Sequence, residues 1–197
     1  MPVIECDVAD AREKLVAAGA DVSAGNDDHE RWRATHGDAV AVAYDGKVVI
    51  QGASPQDVEA LLREEGGHAY AYFDGASRGN PGPAAVGWVL VTSDGIAAEG
   101  GETVGRATNN QAEYEALIRA LEAARDYGFD SVAVKGDSEL IVKQVTGAWN
   151  TNDPELREKR VTVRELLARF DDWDLAHVPR EINERADELA NEALDDA

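Results

Sequence analysis

The first third of the chain alternates short apolar runs with turn-forming residues, and the remainder settles into strands followed by long amphipathic helices. Val8, Ala11, Leu15 and Ala18 recur at helical spacing behind Asp7, a capping residue, and Gly19 stops the pattern. A second short helix is expected over 28–35, ahead of Gly37. Ala39–Tyr44 and Val48–Gly52 flank Asp45-Gly46-Lys47, a hairpin signal because Asp-Gly accepts positive φ. Ser54-Pro55 opens a helix carrying Val58, Leu61 and Leu62 on one side, with proline in the first turn. Glu64 to Gly67 reads as a linker, which gives two domains, 1–66 and 67–197.

The second domain starts with the apolar and aromatic run Ala69-Tyr-Ala-Tyr-Phe73, which delivers Asp74 into a turn-rich segment ending at Pro83. Strands over Ala84–Thr92 and Ile96–Val104 flank Ser93-Asp94-Gly95, another hairpin signal. Thr108-x-x-Gln111 is a capping-box pattern that opens a helix running to Arg125, with Gly128 as its stop. Val132–Val134 is a short buried strand ending at Gly136-Asp137, one helix starts near Ser138 and another runs from Pro154 to about Phe170. Trp173–Val178 is the last strand, and Glu181–Leu194 the last helix, striped by Ile182, Ala186, Leu189, Ala190 and Ala193. Three antiparallel strands followed by strand–helix alternation predict an α/β fold: a mixed sheet with helices on its faces, preceded by a small α/β domain.

Charge changes this picture more than composition does. The apolar share of 44% is ordinary for a globular protein, but 39 acidic residues face 19 basic ones, a net charge of −20. The acids are spread over both halves, which reads as adaptation to concentrated salt rather than as an acidic tail. The first 66 residues hold 14 acidic and 6 basic side chains, so no basic stripe marks them as a nucleic-acid clamp. Single Cys6 excludes an intramolecular disulfide, and no run of about 18 apolar residues suggests a membrane span. The reading is a cytoplasmic protein with no membrane partner, favoured as a monomer.

Four carboxylates carry the chemistry. Asp74 and Asp137 end two strands. Glu113 shares its helix face with apolar Ala116, Leu117, Ala120 and Ala124, where an acid costs several kcal/mol unless it is paired or metal-bound. Asp187 lies one turn into the last helix beside Ala190 and Leu194. Singly, Asp74 and Asp137 read more readily as loop residues and Asp187 as an exposed residue bordering the stripe, while Glu113 could be a partly exposed acid near the helix start. Together they form an oxygen-only set that repels itself unless divalent cations neutralise it, and hard oxygen ligands select Mg²⁺ or Mn²⁺. Two such ions can activate a water and stabilise the leaving oxygen of a phosphodiester.

Asp74-Gly-Ala-Ser-Arg-Gly-Asn-Pro-Gly-Pro83, Thr108-Asn-Asn-Gln-Ala-Glu113, Gly136-Asp-Ser-Glu-Leu140 and Asn183-Glu-Arg-Ala-Asp-Glu-Leu-Ala190 resemble, in order, the four motifs of type 1 ribonuclease H. The resemblance implies a five-stranded mixed sheet with helices on both faces. It also implies hydrolysis of the RNA strand of RNA–DNA hybrids by Asp74, Glu113, Asp137 and Asp187 with two metal ions. By that resemblance Asp74 bridges both ions, Asp187 completes the site of the nucleophilic water, and Glu113 with Asp137 completes the site at the scissile phosphate. Ser77, Gly79 and Asn80 would sense RNA 2′-hydroxyls. Thr108 and Asn110 would grip a DNA phosphate, Asn109 a base edge or sugar, and Glu139 the RNA.

Two departures qualify this. The stretch that in many members is a basic protrusion is here Gly147–Arg160, with Trp149, Arg157, Lys159 and Arg160 against three acids, and it resembles the protrusion-less branch. Double-stranded RNA and RNA–DNA junctions are therefore alternative substrates, and a non-catalytic nucleic-acid-binding module is the rival of another class. Secondly, His177 falls on the last strand and reads as structural, which leaves product release to Glu181 or to no residue. The hairpin and helix of the first domain are also similar to the TATA-binding-protein-like amino-terminal domain of ribonucleases HIII. A stabilising or partner-binding appendage and a substrate-engaging one both fit that segment.

Overall fold

The computed structural model describes residues 2–62 and 67–196, and the chain divides into two compact units, 1–64 and 65–197. The expected linker, apart from Gly67, lies outside the described residues.

The first unit runs β1 (Val3–Glu5), α1 (Val8–Ala17), β2 (Asp21–Ala24), β3 (Trp32–His36), β4 (Ala39–Tyr44), β5 (Lys47–Gly52) and α2 (Pro55–Leu62). Its antiparallel sheet has the order β1-β5-β4-β3-β2. Asp7 caps α1 by accepting from the amides of Ala9 and Asp10, and Gly46 takes φ +73° in the β4–β5 turn. Ala11 and Leu15 of α1 and Val58 and Leu62 of α2 pack with Trp32, Ala34, Ala41, Val48 and Ile50. The helix expected over 28–35 is not there. The Asp27 carboxylate accepts from the amides of His29 and Glu30, closing a turn, and β3 follows. Trp32 and Ala34 are buried while Arg33 and Thr35 are not, which is a two-residue period.

The second unit runs β6 (His68–Ser77), β7 (Gly82–Thr92), β8 (Gly95–Ala107), α3 (Asn109–Asp126), β9 (Ser131–Gly136), α4 (Glu139–Thr146), α5 (Pro154–Leu167), β10 (Asp172–His177), a 3-10 turn (Arg180–Ile182) and α6 (Glu184–Asp195). The sheet order is β10-β9-β6-β7-β8. β6, β9 and β10 run parallel, while β7 and β8 run antiparallel to their neighbours, so the five-stranded mixed sheet is present as expected. Phe73, Leu90, Val134, Leu117, Leu121, Ile141 and Val163 pack between one sheet face and α3, α4 and α5. α6 crosses the other face, where β7 and β8 carry Gly87 and Gly101. α4 ends at Gly147 (φ +85°) and α5 begins at Pro154, so only a short connection stands where a protrusion would lie.

The parallel ladder of β6 and β9 ends at Tyr72 and Lys135, and Asp74 and Asp137 each lie two residues beyond it. Asp74 does not end its strand as expected, because β6 continues to Ser77 paired with β7. Gly75 brings β6 hard against α3: a Cβ there would lie 2.2 Å from the Ala112 carbonyl carbon and 2.3 Å from the Glu113 nitrogen. Both neighbours are backbone and cannot swing aside. Gly75→Ala should therefore cost about 1–3 kcal/mol by overpacking, read as a lower midpoint in denaturant unfolding at fixed salt. An unchanged midpoint would show that α3 can retreat from the strand.

Candidate active site

Asp74 is 5% exposed and Glu113 7%, deep values for carboxylates. One carboxylate oxygen from each of Asp74, Glu113 and Asp137 lies within 4.8 Å of the other two. Asp187 joins them in one cleft of about 300 Å³, which Ser77, Asn109, Arg180 and Asn191 also line. Asp74 arrives on β6, Glu113 on α3 and Asp187 on α6, while Asp137 lies in the two-residue bend between β9 and α4, so rigid elements carry or directly flank every acid.

Burial and mutual repulsion push the Asp74 carboxyl up to about 8; loss of hydration is the larger cause, followed by the charges of Asp137 and Asp187. Glu113 is raised well above the ordinary carboxylate range by burial and then by Asp74 and Asp137, and the Gly75 amide opposes this in part. Its Oε2 is buried and has no hydrogen-bond partner. An unpartnered carboxylate oxygen in an all-oxygen cluster suits a hard divalent cation, and the residues present fit one. Among the described residues no other group of His, Cys, Asp and Glu is gathered in this way.

Several neighbours act on these acids without having been legible as site residues. Arg180, 75% exposed, donates to Asp187 Oδ1 at 3.1 Å and also faces Asp137 and Asp74, so one cation answers several acids. Buried Asn183 donates from Nδ2 to the Phe73 carbonyl at 2.8 Å, tying the start of α6 to the residue before Asp74. Asn191 donates to the Asp187 carbonyl at 2.9 Å. His177 ends β10 with Nε2 3.2 Å from the Asp137 carbonyl oxygen, a contact that holds backbone, while Glu181 sits in the 3-10 turn.

The expected substrate contacts are placed unevenly. Ser77 and Asn109 line the cleft. Gly79 takes φ +106°, and the Asn80 side chain accepts from the Asn109 amide at 3.1 Å, locking the turn to the start of α3. Thr108 forms the capping box with Gln111: its hydroxyl oxygen accepts from the Gln111 amide, which leaves its proton to donate elsewhere. Asn110 follows in the first turn of α3. Glu139 does not line the cleft and is held by Lys143 at 2.6 Å.

A sheet of this topology with converging acids defines a class, and the comparisons agree with it. The reverse transcriptase-like family profile matches residues 72–193. A ribonuclease HI from Halobacterium salinarum is 66% identical over the full length of both chains. The crystal structure of RNase H1 from that halophilic archaeon is 73% identical with a TM-score of 0.66, covering 66% of this chain and all of that one. LC11-RNase H1, solved in complex with RNA/DNA hybrid, is 42% identical with a TM-score of 0.62, covering 65% of this chain and 97% of that one. This chain belongs to the type 1 ribonuclease H family. The halophilic source of the Halobacterium relatives agrees with reading the −20 charge as adaptation to salt.

The raised carboxyls carry a stability signature. Between about pH 4 and 8 the folded protein keeps a proton on Asp74 that the unfolded chain has lost. The metal-free protein therefore loses stability as pH rises through that window, and the loss is complete above the folded value. Asp74→Asn should flatten this slope and raise the melting temperature at pH 8 in EDTA. Parallel melting curves for the two proteins across pH would show the acid to be unstrained.

Proposed function

We infer that this protein is a metal-dependent endoribonuclease that hydrolyses the RNA strand of RNA–DNA hybrids. The observation that carries the reading is the meeting of Asp74, Glu113 and Asp137 within 4.8 Å, two of them buried, with Asp187 on the same cleft. Binding alone does not need such a cluster, which sets aside a non-catalytic module.

We assign the metals as Mg²⁺ or Mn²⁺, two per site with substrate bound, held by Asp74, Glu113, Asp137 and Asp187. Such ions supply a water of lowered pKa and neutralise charge at the phosphate. The chain's own residues do the rest. Asp74, which lies among Glu113, Asp137 and Asp187, would be the ligand common to both ions, as the family resemblance implies. Asp187 stands towards the nucleophile, and Glu113 with Asp137 towards the scissile phosphate. Asn183 and Gly75 hold β6 against α6 and α3 in the register that keeps the acids together. Arg180 pairs with Asp187 and offsets its charge in the metal-free site.

Strand choice we assign to the adjoining turn. Ser77, Gly79 and Asn80 face the RNA sugar, where the 2′-hydroxyl separates RNA from DNA. The free Thr108 proton and Asn110 take a DNA phosphate, and Asn109 a base edge or sugar. The short connection between α4 and α5 is the one feature favouring a broader substrate range, so double-stranded RNA belongs in the assay. The first unit's acid excess gives it no attraction for a phosphate backbone, and we read it as an appendage outside substrate binding.

Labelled RNA–DNA hybrid, duplex RNA and duplex DNA, each with Mn²⁺, Mg²⁺ or EDTA, test the assignment. Cleavage should be confined to the RNA strand of the hybrid and vanish in EDTA, and Asp137→Asn should lower kcat about a hundredfold or more. Full activity in that variant would remove Asp137 from the site. Deleting residues 1–67 should leave kcat and KM for the hybrid within about twofold, while a large rise in KM would make the first unit a substrate clamp.

A further inference from the structure

The sheet of the second unit has a face that this unit's own helices cover only in part. On β6, Ala69, Ala71 and Phe73 enter the core, so His68, Tyr70 and Tyr72 point to the opposite face. Strand register lays that face out in rows. One row is Asp174, Ala133, Tyr70, Val91 and Ile96, and the next is Ala176, Lys135, Tyr72, Val89 and Glu99. α6 covers the row after these: a Cβ on Gly87 would meet the Ala186 carbonyl oxygen at 2.1 Å, and one on Gly101 the Leu189 carbonyl oxygen at 2.6 Å. α6 also reaches the second row, where Val89 is buried and Glu99 pairs with Arg185, so the open part of the face is the first row, Tyr70, Val91 and Ile96, with the rim of Tyr72.

What is left open is apolar. Tyr70 is 41% exposed, Ile96 59%, and Ile182, at the entry to α6, 55%. A groove of about 230 Å³ runs between Tyr72, Val91, Ile96 and Ile182. Large aliphatic side chains gathered at one exposed place mark interaction surfaces more than singly scattered ones do. On a chain of net charge −20 the gathering stands out.

Charge selects the occupant. The cations on this face are already engaged: Lys135 sits over the Tyr70 and Tyr72 rings at 4.7 and 5.9 Å, and Arg185 pairs with Glu99 and Glu188. Asp172 and Asp174 of β10 and Glu181 beside Ile182 are exposed. A nucleic-acid strand would bring phosphates into contact with those acids, and a second copy docked by the same face would bring its own Asp172, Asp174 and Glu181 against them. We propose that this face docks a basic protein segment whose leucine- or isoleucine-type side chains fill the Ile96–Ile182 groove while its Lys or Arg side chains meet Asp172, Asp174 and Glu181. At multimolar salt, charges are screened within about 3 Å. The apolar contact then supplies the affinity, and only charges in direct contact choose the partner.

The test uses the full-length protein and a fluorescein-labelled peptide of alternating lysine and leucine, seven residues long, with its glutamate–leucine counterpart as control. Anisotropy titrations should show saturable binding of the lysine peptide only. Ile96→Glu should weaken it about tenfold, Asp174→Lys should weaken it measurably, and neither should alter hybrid hydrolysis. Absence of saturable binding, equal binding of the glutamate peptide, or undiminished binding by Ile96→Glu would overturn the proposal. Sedimentation completes it: a wild-type dimer dissociated by Ile96→Glu would assign the face to a second copy and also overturn it.

Discussion

The structure turns on one unfavourable interaction, the repulsion among carboxylates held where water cannot relieve it. Asp74 and Glu113 are nearly buried, and burial together with the neighbouring acids raises the proton affinity of both. The Gly75 amide and the Arg180 guanidinium offset that repulsion only in part. The cluster persists because the fold around it holds: the parallel ladder of β6 and β9, the backbone contact of Gly75 with α3, and the bond from the buried Asn183 side chain to the Phe73 carbonyl. Folding free energy from the core holds the acids in a place they would otherwise leave, and a cation arriving there collects the benefit.

The acid excess of the whole chain bears on the same site in a different way. In dilute buffer a charge of −20 opposes a polyanionic substrate, and several basic side chains are already engaged by acids. Lys143 is held by Glu139, Lys159 by Glu115, and Arg119 by Glu102 and Glu122. In concentrated salt that opposition shrinks to contact distance. On the proposed assignment, substrate recognition would then rest on contact groups, the Ser77–Asn80 turn and the start of α3, and on metal charge. Long-range steering contributes little, so a protrusion-less, acidic enzyme loses less by lacking a basic arm than it would in fresh water.

Much of this was readable from the chain because local chemistry and tertiary demand coincide there. Thr108 and Gln111 form the capping box that their spacing predicts, and the Asp45-Gly46 and Asp94-Gly95 signals fall at hairpin turns. Glu113 on an apolar helix face announced a site because solvation gives no other reason for it to be buried. The misreadings have equally local causes. Trp32–His36 is five residues long, too short for a period of 2 to be told from 3.6, and turn residues just before it mimic a helix start. Val3–Glu5 and Asp21–Ala24 are edge strands with no buried residue among them, so they leave no pattern. Arg180 reaches Asp187 across a 3-10 turn, and Asn183 finds a carbonyl 110 residues away; neither contact has a sequence period.

Metal binding measured by calorimetry at pH 7, in buffers of differing ionisation enthalpy, tests the central claim most directly. If the buried carboxyls are held protonated by their surroundings and a divalent cation replaces those protons, Mn²⁺ binding releases on the order of one proton per protein, and fewer in Asp74→Asn. Metal binding with no proton release, at the same affinity in both proteins, would mean that the acids are not strained against one another and that the metal displaces no proton from them, which contradicts the claim.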